Sequence, residues 1–293
     1  MLQLLLSGTA PYLVALAAPT AISTPQIEGE PLPHPVWHYM AMPGEAVSYD
    51  LPSGTDIFLE GRKLDAGEDF DAPKKPGTYQ LEFRGDAGVP DYQVTLFVLE
   101  PADGVDASGR LNGFRMGRYP DNEPRGYIRL DEGEGDINVS PSFRIGQFLC
   151  HQQPDHWPKY LLVSSTNLER LEILLEALNR DGITDADTFF VMSGYRSPFY
   201  NTSIGSAKLS RHMYGDATDI YVDVAPRDGV MDDLNADGAI NKADADFLYD
   251  YAQDLFAKTE GVPRGGLGSY KANAVHGPFV HVDGRGAPAR WGR

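Results

Sequence analysis

The sequence predicts two successive folds, a small all-β sandwich followed by a larger α+β domain. Three observations predict this. Residues 30–101 read as short period-two runs between Pro and Gly turn signals. A leucine stripe at helical spacing appears only after residue 160. The 293 residues are also more than one compact core ordinarily holds.

Composition narrows the function before any motif is considered. Hydrophobic residues at 42% and charged residues at 23% are ordinary globular usage, which excludes long disorder and a multi-span membrane protein. Forty-two acidic against 25 basic residues give a net charge of -17, so the mean field repels phosphate backbones and no nucleic-acid partner is expected. The single cysteine, Cys150, excludes an intramolecular disulfide and a multi-cysteine zinc site, and reads as a small buried hydrophobe.

Residues 1–25 are strongly apolar, with Leu2, Leu4, Leu5, Leu6, Leu13, Val14 and Leu16 ahead of Ala17, Ala18 and Pro19. They read as the apolar region and cleavage zone of a secretory signal, or as an uncleaved hydrophobic tail, since no Lys or Arg precedes the apolar run. Gly8, Pro11 and Pro19 interrupt the run, so no stable membrane span is expected, and the protein is placed in the periplasm or cell envelope. Within 30–101 the runs 47–51, 56–60, 78–83 and 92–99 are expected strands, and Pro76-Gly77-Thr78-Tyr79 opens one much as in immunoglobulin-like modules. His34 and His38 flank Trp37 without a carboxylate at metal spacing and read as structural.

The second domain is expected over 102–293. Its first part, to about residue 140, is rich in Gly and reads as a loop-rich bridge wrapping the rest. Thr166-Asn-Leu-Glu169 reads as a capping box ahead of a helix whose Leu168, Leu171, Leu174, Leu175 and Leu178 share one face, and Gly182 ends it. Thr188–Met192 reads as a buried strand leading into Ser193-Gly-Tyr-Arg-Ser197.

The chemistry concentrates downstream. In Ser210-Arg-His212-Met-Tyr-Gly215-Asp-Ala217-Thr-Asp219 a polar loop with one His runs into a strand that begins with a carboxylate, and zinc accepts both donor types. Gly215 and Ala217 leave room for the chain to turn and bring the pair together. A third donor is available in His276-Gly-Pro-Phe279-Val-His281-Val-Asp283, and three protein ligands with one open position is the usual arrangement of a catalytic zinc.

Ser193-Gly-Tyr-Arg-Ser-Pro, then Asn201, then Ser-x-His212-x-x-Gly-x-Ala-x-Asp219, then Phe-Val-His281-Val-Asp, resembles in its order of blocks the zinc D-alanyl-D-alanine peptidase family, over about residues 140–293. The family includes DD-carboxypeptidases, DD-dipeptidases and murein endopeptidases. The resemblance implies an α+β fold with an antiparallel sheet, His212, Asp219 and His281 as zinc ligands, and Arg196 as the cation that holds the substrate peptide. It implies Ser210 as a turn or substrate-side residue, and peptidoglycan stem peptides or cross-links as substrate; a monomer is expected. Where family members carry a general base, Glu three residues or His two residues before the last ligand, this chain has Pro278 and Phe279. His276 is then the nearest titratable candidate, and Asp283 is a candidate to orient a ligand.

Between Asp219 and the last block lies an insertion, about 228–258. It carries Asp233, Asn235, Asp237, Asn241 and Asp244 at calcium-loop positions one, three, five, nine and twelve, Gly238 at six, and Ala239 at the backbone-carbonyl position seven. It resembles the calcium loops of dockerin modules, and a structural Ca2+ is expected, with an exiting helix marked by Phe247, Leu248, Tyr251 and Leu255. Two other readings compete with hydrolysis. One is a peptidoglycan-binding protein that keeps the zinc fold without a base, and the other is an envelope calcium protein whose loop docks a partner.

Overall fold

A computed structural model describes residues 24–293 apart from positions 66, 68, 87 and 225, so the expected export segment lies almost wholly outside the described residues. Among the described residues no helix is long and apolar enough to cross a membrane.

From residue 26 to 98 every regular element is a strand. One sheet joins Val36–Ala41, Tyr92–Val98, Gly77–Gly85, Thr55–Leu59 and Arg62–Lys63 in that order, with the first pair parallel and the others antiparallel. A second sheet joins Glu30–Pro31, Gln26–Ile27, Ala46–Asp50 and Asp69–Asp71. Alternation makes Ala46–Asp50 legible, because Val47 and Tyr49 point inward between exposed neighbours. Val36–Ala41 escapes that test because Trp37 and His38 are buried side by side.

The two halves are fastened together. The buried ring of His38 faces the Val139 carbonyl from Nδ1 at 3.1 Å and the Val163 carbonyl from Nε2 at 3.2 Å, and Thr95 Oγ1 donates to Asn138 O at 2.9 Å. Strand pairing also crosses the junction, since Glu100–Pro101 pairs with Gly126–Leu130, which pairs in turn with Lys159–Leu161. The stretch expected as a loop-rich wrap therefore contains a core strand, with Tyr127, Ile128 and Leu130 fully buried. One continuous cluster of buried apolar side chains runs from the N-terminal sheets into the second half.

The second half is built on an antiparallel sheet in the order Phe190–Ser193, Ala217–Tyr221, Phe279–Asp283, Gly266–Tyr270, with Ala289–Trp291 added in parallel at its edge. Helix α1, Ser165–Arg180, buries the expected leucine stripe, and each fully buried leucine contributes about 1.5–3 kcal/mol. Its cap lies two residues before the expected one. Ser164 accepts from Asn167 N, and Thr166 and Glu169 are inside the helix. The expected buried strand at 188–192 is instead Phe190–Ser193, with Phe190 exposed and Phe189 buried. Helix α2 is Pro198–Ser203, with Pro198 in its first turn. Helix α3 is Lys242–Lys258, and its inward face is Ala245, Leu248, Tyr249 and Ala252, so Phe247, Tyr251 and Leu255 are only partly covered.

Candidate metal centre

Two glycines make the local geometry possible. Ser193 ends its strand, and Gly194 follows where a Cβ would lie 2.6 Å from Phe148 Cα. His212 sits in the short 3-10 turn Arg211–Tyr214, which Gly215 closes at φ +65°, a left-handed conformation that a side chain resists; a Cβ there would also collide with the Leu162 carbonyl. The chain then enters the strand Ala217–Tyr221, where Asp219 lies directly opposite His281 in the antiparallel register.

His212, Asp219 and His281 are all buried, with donor atoms within 4.8 Å of one another, and among the described residues they form the cluster able to hold a metal ion. Their outer contacts orient them. The ring of His212 donates from Nδ1 to the Gly194 carbonyl at 2.8 Å, which leaves Nε2 facing Asp219 Oδ1 at 3.3 Å. His281 faces Asp219 Oδ1 with Nδ1 at 2.7 Å and Asp283 Oδ2 with Nε2 at 3.2 Å. Asp283 is itself held by the Gly266 N–H and by Arg285. A histidine whose second nitrogen is anchored on a carbonyl or a carboxylate is fixed in tautomer and ring orientation, as a metal ligand requires. Trp291 covers His281 at 5.2 Å between ring centroids.

Within the cluster the carboxylate and the two imidazoles set one another's charge. Burial alone would raise the Asp219 carboxyl, but His212 and His281 outweigh it and hold the group well below the usual range. Burial lowers His212 below its ordinary value against the pull of Asp219, so its ring is neutral and its lone pair available. Burial likewise opposes protonation of His281, but its bonds to Asp219 and Asp283 prevail and raise it.

Arg196 lies between the cluster and solvent. It donates from Nη2 to Asp219 Oδ2 at 2.6 Å and from Nε to Ser193 Oγ at 2.8 Å, so it fixes the carboxylate oxygen that faces away from the histidines. It also lines an open cleft of about 480 Å3 together with Ser193, His151 and His276. Both ring nitrogens of His276 are engaged within its own loop, Nε2 with Asn273 Nδ2 at 2.7 Å and Nδ1 with the Gly277 carbonyl at 2.8 Å. Phe279 stacks on Tyr270, and Pro278 is buried. Ser210 is buried and contributes to the turn through its backbone, accepting from Met213 N, with no side-chain bond to the cluster.

His151 is a cleft residue the sequence did not flag. Its neighbours in the chain are pinned against the arginine loop, Tyr195 N to Phe148 O at 2.9 Å and Gln152 Nε2 to Ser197 Oγ at 2.8 Å, and burial together with Arg196 lowers its pKa. The one available signal was its position beside Cys150, whose thiol burial pushes up to about 11.

The acidic loop is arranged differently from the His-Asp-His cluster. Asp233 accepts backbone N–H bonds from Asp237 and Gly238, and Asn235 Oδ1 accepts from Asp237 N. The Ala239 carbonyl accepts from Asn241 Nδ2. Asp244 is fully buried and caps α3, with Oδ1 taken by the amides of Leu234 and Asn235 and Oδ2 by that of Asn241. The six positions thus close on their own backbone, and their carboxylates do not gather as the histidine cluster does.

Residues 164–239 match the family model described as Peptidase M15. The matched span holds Arg196, His212 and Asp219 and stops before His281, which the sheet brings back to it. The match supports a metallopeptidase of that family. No curated protein matches the chain, and no solved structure does.

Proposed function

We propose that the chain is a zinc-dependent hydrolase of peptide bonds in peptidoglycan stem peptides or cross-links, acting in the periplasm or cell envelope. The observation that carries this reading is the convergence of His212 Nε2, Asp219 Oδ1 and His281 Nδ1 beside a guanidinium that opens on a cleft. Two imidazole nitrogens and one carboxylate oxygen are the donor set zinc prefers, and the anchored outer contacts fit it. His212, Asp219 and His281 would hold the ion, which would supply Lewis acidity to polarise a carbonyl and acidify water. Arg196, whose Nη2 and Nε already donate to Asp219 and Ser193, has only its remaining N–H groups to offer a carboxylate or carbonyl of the peptide, while Asp283 keeps His281 in register. His151, on the open rim of the cleft and with a lowered pKa, is available to carry a proton.

The substrate class rests on the order of Ser193–Ser197, His212, Asp219 and His281, which resembles the D-alanyl-D-alanine peptidases. Mass spectrometry of soluble muropeptides incubated with the zinc-loaded protein tests it. Loss of a terminal D-alanine or splitting of a cross-linked dimer, absent in His212→Ala, is the expected result. No change with one zinc bound would favour a second reading, a peptidoglycan-binding protein, for which the buried Pro278 and Phe279 and the self-engaged His276 are the specific support.

The loop 233–244 is proposed to take calcium as a structural ion. Support comes from its spacing of oxygen-bearing side chains and from Gly238 at φ +86°. Binding would require Asp244 to exchange backbone partners for the ion. Calcium mass in the protein purified with Ca2+ and exhaustively dialysed tests this, and its absence removes the ion.

A further inference from the structure

One row of residues crosses the second-half sheet from edge to edge. In register, Ser193 stands opposite Asp219, Asp219 opposite His281, His281 opposite Gly268, and Gly268 beside Trp291 of the parallel strand Ala289–Trp291. Residues paired in this way share a face of the sheet. Gly268 has no side chain to fill its place in the row, and the indole lies there instead: a Cβ on Gly268 would sit 2.2 Å from Trp291 Nε1. Trp291 thereby reaches His281, with ring centroids 5.2 Å apart and planes at 53°.

His281 has a use for that contact. Its Nδ1 faces Asp219 at 2.7 Å and its Nε2 faces Asp283 at 3.2 Å. Contacts at both nitrogens fix the line between them but leave the ring free to tilt about it, and the tilt is set by whatever packs against the ring. Among the described residues two aromatic rings meet it, His212 at 5.1 Å and 67°, and Trp291. His212 belongs to the donor set itself, so Trp291 is the ring outside that set, and its tilted geometry is one that aromatic pairs favour.

The indole is held in its turn. Trp291 Nε1 donates to Tyr270 Oη at 2.8 Å. The Arg285 guanidinium lies over the indole, 5.3 Å from its centroid, and donates from Nε to Asp283 Oδ1 at 2.8 Å. One side chain therefore steadies both the carboxylate and the ring that orient His281. Arg293, two residues beyond the indole, donates to the two oxygens of Asp250 at 2.8 and 2.7 Å and to Asp246 at 3.1 Å. Asp246 also accepts from Ser269 Oγ at 2.6 Å. Helix α3 thus grips both the strand that carries Gly268 and the segment that follows Trp291.

We infer that Trp291 is a positioning residue of the metal centre: carried over Gly268 by the strand Ala289–Trp291, it fixes the tilt of His281 so that the ring presents its nitrogen to the ion. The inference rests on the zinc reading of His212, Asp219 and His281 and adds to it a residue outside the donor set. It also gives α3 a part in the centre, since its bonds to Ser269 and Arg293 hold the indole in place.

The test uses the full chain. Zinc dissociation constants come from competition with a chelator of known affinity, the visible absorption of the cobalt-loaded protein reports ligand geometry, and the melting temperature without metal reports the fold. Trp291→Ala is expected to weaken zinc binding by about 10–100-fold, the usual cost of losing a contact that orients a ligating histidine, and to change the cobalt spectrum. Trp291→Phe keeps a ring against His281 and loses only the bond to Tyr270, so its affinity is expected within about fivefold of wild type. Gly268→Ala places a methyl group where the indole lies and is expected to cost about tenfold by itself, but nothing further when combined with Trp291→Ala. Should Trp291→Ala fail to fold, Gly268→Ala and Trp291→Phe carry the test. Wild-type affinity and an unchanged cobalt spectrum in Trp291→Ala or in Gly268→Ala, fully additive losses in the double variant, or Trp291→Phe as weak as Trp291→Ala each overturn the positioning role. If the wild type binds zinc, Asp219→Ala does not, and Trp291→Ala matches the wild type, only that role falls. If the wild type takes up no zinc, the reading of the metal centre falls and the role with it.

Discussion

Removing the metal is the perturbation whose size follows most directly from the site. The three proposed ligands come from a turn and two strands that meet only in the folded chain, so an ion that bound them would stabilise the native state and leave the unfolded state almost untouched. At free zinc a thousandfold above its dissociation constant, mass action adds about 4.1 kcal/mol to the free energy of unfolding. For a domain of this size each kcal/mol moves the melting temperature by about 2–4 °C, so the shift between chelated and saturated protein is roughly 8–16 °C. Because one continuous core links the N-terminal sheets to the metal-bearing sheet, the shift should appear in a single transition that includes both. Differential scanning calorimetry of the wild type and of Asp219→Ala, each with zinc and with excess chelator, checks this. A shift that persists in Asp219→Ala, or none in the wild type, would refute the assignment of the ligands. Two transitions with only one responding to zinc would refute the shared core.

Other perturbations test single parts of the argument. His38 is buried with its pKa lowered from an ordinary 6.5, chiefly by burial; the unfolded chain therefore takes up a proton the folded one refuses, and stability falls as pH drops below that value, by up to about 1.4 kcal/mol per unit. Urea titrations of wild type and His38→Gln from pH 8 to pH 5 should diverge in slope below 6.5, and parallel curves would count against a neutral His38. Gly215→Ala forces a side chain into a left-handed turn against the Leu162 carbonyl. It should cost more than about 2 kcal/mol in urea unfolding and weaken zinc binding, since the same turn aims His212; an unchanged midpoint would show that the turn can relax. His151→Ala should lower kcat on a cleaved muropeptide by about 100-fold or more with KM little changed, whereas His276→Ala, whose ring is engaged in its own loop, should alter kcat far less. The reverse order would return the proton-carrying role to His276.

How far the sequence disclosed this site depends on how local each part is. His212 and Asp219 are joined by one tight turn, and Gly215 between them has the positive φ that such a reversal needs, so spacing alone brings them together. His281 was legible at one remove, because alternation marks Phe279–Asp283 as a strand, although only the sheet register places it opposite Asp219. His151 enters the cleft on a loop with no periodicity, and its relation to Arg196 is created by tertiary bonds such as Tyr195 N to Phe148 O. The strand Val36–Ala41 was hidden for a related reason: the His38 ring faces carbonyls 101 and 125 residues away and, when neutral, donates to one of them, and a side chain buried for a distant partner leaves no alternation behind.

The same dependence on distance divides the candidate centre itself. The span that matches Peptidase M15 ends at residue 239 and contains two of the three donors and the guanidinium. Completion of the metal centre depends on a strand about 40 residues further on, across the inserted loop and α3. Of the exposed apolar residues that line the cleft, Phe190, Ile204 and Val230 lie inside the matched span, and Val275 lies in the stretch beyond it. A change in the length or sequence of that stretch can therefore alter the Val275–Gly277 rim of the cleft while the register that pairs Asp219 with His281, fixed by four successive residue pairs between their strands, stays as it is. The loop 226–232 hangs from Asp223 and Tyr221, beyond Asp219 on the same strand, so this part of the cleft wall is attached to the strand of the candidate cluster without being part of the cluster.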